Sequence, residues 1–90
     1  MNSRHRETLA AIFAKSQRGT IDWDDIEKLL LAVGAKLIEG RGSRVRFEAD
    51  GKMAAFHRPH PCKEAHGYQI SVARRFLTAI GVMPDEAHDL

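Results

Sequence analysis

Asp50-Gly51 is the pair of residues that most restricts how this chain can fold. An Asp-Gly pair between apolar-rich runs closes a two-residue type I′ turn, whose central positions both need positive φ. A turn of that length dictates the pairing on either side: Ala49 faces Lys52, Phe47 faces Ala54, Val45 faces Phe56 and Arg44 faces His57. Opposed residues of an antiparallel pair project to one side. Val45, Phe47, Ala49, Ala54 and Phe56 then form a buried face. Arg44, Arg46 and His57 share the other face with Glu48, Met53 and Ala55. An imidazole beside two guanidiniums on an open sheet face is an arrangement suited to phosphate. The same pattern also describes a half-buried hairpin whose basic side is merely solvated.

The flanking segments complete an α+β pattern. Ser3 to about Ala14 carries Leu9, Ile12 and Phe13 on one helical stripe, and Ser16 to Thr20 is a polar connection. Asp22 is the expected N-cap of a second helix, with Asp24, Asp25 and Glu27 in the first turn, where the helix dipole favours anions. Trp23, Ile26, Leu29, Leu30 and Val33 form its apolar stripe, which makes Trp23 a core residue, and Gly34 stops it. Ala35 to Glu39 reads as a first strand, and Gly40-Arg41-Gly42-Ser43 turns the chain into the hairpin. That turn lets backbone approach a phosphate closely, but it lacks the GK[ST] and following helix of a nucleotide loop.

Beyond the hairpin, Pro59 and Pro61 end strand pairing and stiffen a basic exit that begins at Arg58. A last helix runs from about Tyr68 to Ile80, with Ile70, Ala73, Phe76, Leu77 and Ile80 on one face and Gly81 as its stop. Arg74 and Arg75 are expected to point away from that face. The economical packing is a three-stranded antiparallel sheet with two helices on one face, an extra helix over residues 3–15, and a frayed acidic tail at 83–90.

Composition bounds the rest. Ninety residues make one domain with a modest core. Net charge is only +2, yet Lys36 to Lys63 holds seven Lys/Arg against three acids. A locally positive surface on a nearly neutral chain suits a polyanion, or an acidic protein covering the same place. No apolar run approaches the roughly 20 residues that span a bilayer, so no membrane role is expected. The start carries no apolar signal core, and the one cysteine, Cys62, excludes an internal disulfide; both fit a cytoplasmic protein.

Taken in order, the Gly42-Ser43 pair with Val45 and Phe47, the Pro59-His60 exit and Arg75-Phe76-Leu77 through Gly81 resemble the HicA toxins, from about Ile21 to Val82. The resemblance implies a double-stranded-RNA-binding-domain-like α-β-β-β-α fold. It implies metal-independent cleavage of mRNA and a HicB antitoxin that covers the active face; no DNA binding by the chain itself is expected. In typical members a histidine held to be catalytic follows the glycine-serine pair; here that position is Arg44. Arginine stays protonated and cannot accept a proton near neutral pH.

RNA cleavage without a metal or other cofactor needs a base for the 2′-OH proton, an acid for the leaving 5′-oxygen and cations for the phosphorane. His57, facing Arg44, is the expected proton-transfer residue, and His60 is expected to assist it or position the phosphate. Arg41, Ser43, Arg44, Arg46 and Arg58 are expected around the phosphate. Two other readings stay open. One is a binding module that holds RNA or an antitoxin without cutting. The other is a zinc site from His57, His60, Cys62 and His66, although their spacing matches no common structural site and the prolines hinder convergence. No metal is expected.

Overall fold

The hairpin register follows from turn length, and the computed structural model of the protein, which describes residues 1–15 and 19–84, shows that register. The helices are α1 (Ser3–Phe13), α2 (Trp23–Ala32) and α3 (Gly67–Ala79), and the strands are β1 (Lys36–Glu39), β2 (Arg44–Ala49) and β3 (Lys52–His57). Asp50 and Gly51 take φ of 51° and 75°, as a type I′ turn requires. Ala49 pairs with Lys52, Phe47 with Ala54, Val45 with Phe56 and Arg44 with His57. β1 joins the other side of β2, giving an antiparallel sheet of order β1-β2-β3.

The period-2 pattern then sorts the side chains. Val45, Phe47, Ala54 and Phe56 are buried against the helices, while Arg44, Arg46, Met53, Ala55 and His57 are exposed on the opposite face. Phe56 is the hinge of the core: its ring lies 4.9 Å from that of Trp23 on α2 and 5.9 Å from that of Phe47, in tilted and edge-on contacts. α3 lies along β3, and its Ile70, Ala73, Phe76 and Leu77 join the same core.

Both core helices end as expected. Gly34 and Ala35 donate to the carbonyls of Leu31 and Leu30, and Gly81 and Val82 donate to those of Thr78 and Leu77, closing a Schellman motif at each C-terminus. The start of α2 differs from expectation. Asp22 stands at the N-cap position, but its side chain makes no capping bond. The segment after the prolines pairs with the backbone at this helix start: Trp23 N–H donates to the carbonyl of Lys63 at 2.7 Å, and Ala65 N–H donates to that of Ile21 at 2.8 Å. An isolated bridge between Asp22 and Glu64 results, and it ties the chain before α2 to the approach to α3.

α1 packs on its own domain. Leu9 and Ile12 are buried with α2 and α3 in one core, and Asn2 caps the helix by accepting from the N–H of His5 at 2.8 Å. Arg4 grips the carboxylate of Asp25 with two hydrogen bonds, at 3.3 and 2.9 Å. Arg74, expected to point away from the apolar face of α3, finds a partner there: its Nε donates to the carbonyl of Ile12 at 2.9 Å, holding α3 to the last turn of α1. The long guanidinium reaches an open helix-end carbonyl, a partner that sequence periodicity does not register. Residues 16–18 of the polar connection and residues 85–90 of the expected tail lie outside the described residues. Apart from α1, the order α2-β1-β2-β3-α3 is the α-β-β-β-α arrangement of a double-stranded-RNA-binding-domain-like fold.

Candidate nucleic-acid interface

Antiparallel pairing brings the centre of the site together. Arg44 and His57 are Cα partners on the bare face, and Ser43, one residue before Arg44, places its Oγ 3.5 Å from His57 Nδ1. The turn before them is braced by two backbone bonds, Gly40 N–H to the carbonyl of Arg44 at 2.9 Å and Arg44 N–H to that of Arg41 at 3.1 Å. Arg46 lies in the next row of the same face, its Nε 3.2 Å from a carboxylate oxygen of Glu48. Arg44 has no such carboxylate partner among the described residues, so its charge is available to a ligand. Lys36 on β1 faces Glu48 and extends the basic strip. Arg41 is exposed on the turn, and His60 is exposed beyond the end of β3, with no hydrogen bond to the rest of the site.

Arg58 does not join this group. One residue beyond His57, it projects to the helix side of the sheet, and its guanidinium is taken up by two carboxylates. It donates to Glu27 of α2 at 3.0 and 3.3 Å and to Glu39 of β1 at 2.8 and 3.0 Å. Glu27 also accepts from Trp23 Nε1 at 2.9 Å. Arg58 is thus a clamp between α2, β1 and the exit of β3, and the guanidinium expected at the phosphate is engaged by two carboxylates instead: the alternation that places His57 on the bare face places its neighbour on the other. Both carboxylates hold the guanidinium firmly protonated, and the hydrogen bonds from Arg58 hold Glu39 below its ordinary value.

A depressed carboxylate contributes stability that is full above its unfolded value, near pH 4.5, and is lost as pH falls through the folded value. The Arg58→Met variant should therefore be less stable than the parent at pH 7 and should lose less stability than the parent as pH falls from 5 to 3. Urea melts across that window check it; parallel curves for the two proteins would remove the clamp.

Two residues without an assigned role in the sequence hold His57 in place. β3 is an edge strand, and the backbone of His57 points outward from it. Its N–H donates to the Tyr68 hydroxyl at 2.8 Å, and its carbonyl accepts from Gln69 Nε2 at 2.6 Å. Gln69 is 1% exposed, and its Oε1 accepts from the N–H of His66 at the start of α3. The first turn of α3 thereby covers the open end of the edge strand. The signal was present: Gln69 stands three residues after the N-cap position His66, where a side chain can reach back to the cap backbone.

Among the described residues no group of three or more His, Cys, Asp or Glu side chains is placed to hold a metal ion, and His57, His60, Cys62 and His66 do not converge. No helix of the described residues is long and apolar enough to cross a membrane.

Sheet, helices and bare basic face define a small α+β domain with a surface suited to a polyanion. Residues 23–81, from the first residue of α2 to just past α3, match the family model of the HicA toxin of bacterial toxin–antitoxin systems. The chain belongs to the HicA toxin family, and α1 lies outside the matched segment. No curated protein and no solved structure matches the chain.

Proposed function

We propose that this toxin is a metal-independent endoribonuclease acting on mRNA in the cytoplasm, with its site on the bare face of the sheet, and that a HicB-type antitoxin neutralises it by covering that face. The observation that carries the reading is the adjacency of Ser43, Arg44 and His57 on an uncovered surface. In the tautomer that carries its proton on Nδ1, 3.5 Å from Ser43 Oγ, His57 Nε2 is free to take the proton of a ribose 2′-OH. The 2′-oxygen then attacks the phosphorus, the bond to the 5′-oxygen breaks, and the imidazolium returns its proton to that leaving oxygen. The products are a 2′,3′-cyclic phosphate and a 5′-hydroxyl. Arg44 offsets the charge on the phosphorane, and Arg46 and Arg41 hold the neighbouring backbone. His60, exposed just beyond the end of β3, would assist His57 or position the phosphate. Acidic groups of the antitoxin would meet Lys36, Arg44 and Arg46.

A second reading has its own observation. Arg44 occupies the position where the resemblance implies a catalytic histidine, and an arginine does not transfer protons at neutral pH. Incubating the purified chain with mRNA in EDTA separates the two. Cyclic-phosphate fragments are expected from the enzyme; intact RNA bound in a strongly salt-dependent way would make the domain a binding module instead.

A further inference from the structure

The bare face carries a depression of about 460 Å³ beside the Ser43–Arg44–His57 group, lined by Ile38, Gly40, Arg44, Arg46, Ala55 and His57 among others. Strand register builds it. Ile38, Arg46 and Ala55 stand in one cross-strand row, one strand each. Gly40 stands beside Arg44 in the row that includes His57, through its N–H bond to the Arg44 carbonyl. A Cβ at Gly40 would come to 3.1 Å from Arg44 Cβ and 3.3 Å from the Arg44 carbonyl oxygen. The glycine therefore leaves room beside the stem of Arg44 that any other residue would fill.

These features answer different parts of a nucleotide. Arg44 and Arg46 are two residues apart on one strand, about 6.8 Å along it, which is close to one nucleotide step of an extended chain. Arg44, which has no carboxylate partner among the described residues, accounts for a phosphate, and Arg46, paired with Glu48, marks the neighbouring position. Ile38 and Ala55 play no such part: a low apolar strip on either side of a guanidinium has nothing to offer a phosphate, but it fits the flat face of a base. Arginine planes and apolar side chains are the surfaces on which unstacked bases lie. The Arg46–Glu48 ion pair draws Arg46 along the strand, away from the gap beside Arg44.

We propose that this depression is a nucleobase subsite: one unstacked base rests on Ile38 and Ala55 beside the Arg46 guanidinium, while the adjoining phosphate sits at Arg44 next to His57. The ligand class is single-stranded RNA, because a duplex keeps the flat faces of its bases stacked against one another and offers none to the sheet. The inference rests on the RNA reading above, and its test separates the two.

The probe is a short 2′-O-methyl oligoribonucleotide, which lacks the 2′-OH nucleophile and stays intact. Its binding to the full chain is compared by fluorescence anisotropy with that of the same strand carrying abasic residues and that of its duplex. The intact single strand should bind about tenfold or more tightly than either. Ile38→Ser should remove most of that advantage without changing the affinity for the abasic strand, and circular dichroism checks that the variant is folded. Equal affinity for all three probes, or an unchanged preference in Ile38→Ser, would overturn the base subsite while leaving RNA binding in place. Absence of binding to every probe would remove the RNA reading as well and leave this face to the antitoxin.

Discussion

Substituting alanine for His57 is expected to lower the proposed RNA cleavage by about 10²–10⁴-fold, the usual contribution of a positioned acid–base group. The fold should survive. The imidazole is exposed, its side chain makes a single 3.5 Å polar contact, with Ser43, among the described residues, and the bonds that secure the end of β3 are made by the His57 backbone, which alanine retains. Growth on induction and fragment yield in EDTA measure the loss, and a thermal melt confirms the fold. A variant that remains fully toxic would end the assignment of proton transfer to His57. Arg44 stays in this variant, so binding of RNA should fall much less than cleavage.

The second large effect lies beneath the site. Gln69→Leu keeps the volume of a buried side chain but removes both hydrogen bonds, leaving the N–H of His66 without its partner and the carbonyl of His57 with only the long 3.4 Å contact from Tyr68. Gln69 is buried but its partners belong to exposed residues, so water replaces part of what is lost and about 1–2 kcal/mol is expected for the pair of bonds, still a sizeable part of the total stability of a domain this small. The melting temperature should fall by about 5 °C or more. Hydrogen exchange gives the local counterpart: the amide of His57 should lose protection more than those of Val45 or Phe47 in the middle of the sheet. A variant that melts within two or three degrees of the parent, with His57 still protected, would mean that Tyr68 alone secures the strand.

These two predictions divide along the same line as the structure itself. The His57 prediction descends from local rules. An Asp-Gly turn of two residues sets the register, the register sets the faces, and the alternation places an imidazole opposite Arg44. The fold class, the three strands, the helix stops at Gly34 and Gly81 and the core role of Trp23 were legible for the same reason, since each is written within one or two turns or one strand. Arg58 shows where such rules end. As a cation in a basic exit it looked like a phosphate ligand, and only carboxylates 31 and 19 residues earlier in the chain take it out of the site.

The sequence by itself determined the hairpin register and therefore which side chains share the bare face, because turn geometry and a period of two leave no freedom between them. Tertiary structure alone decided the rest. It docked α1 on α2 and α3, enlisted Arg74 to hold it there, turned Arg58 into an internal clamp and made Gln69 the support of His57. Each of those roles depends on which long polar side chain reaches which distant partner once the apolar faces have packed, and hydrophobic spacing along the chain carries no record of that meeting.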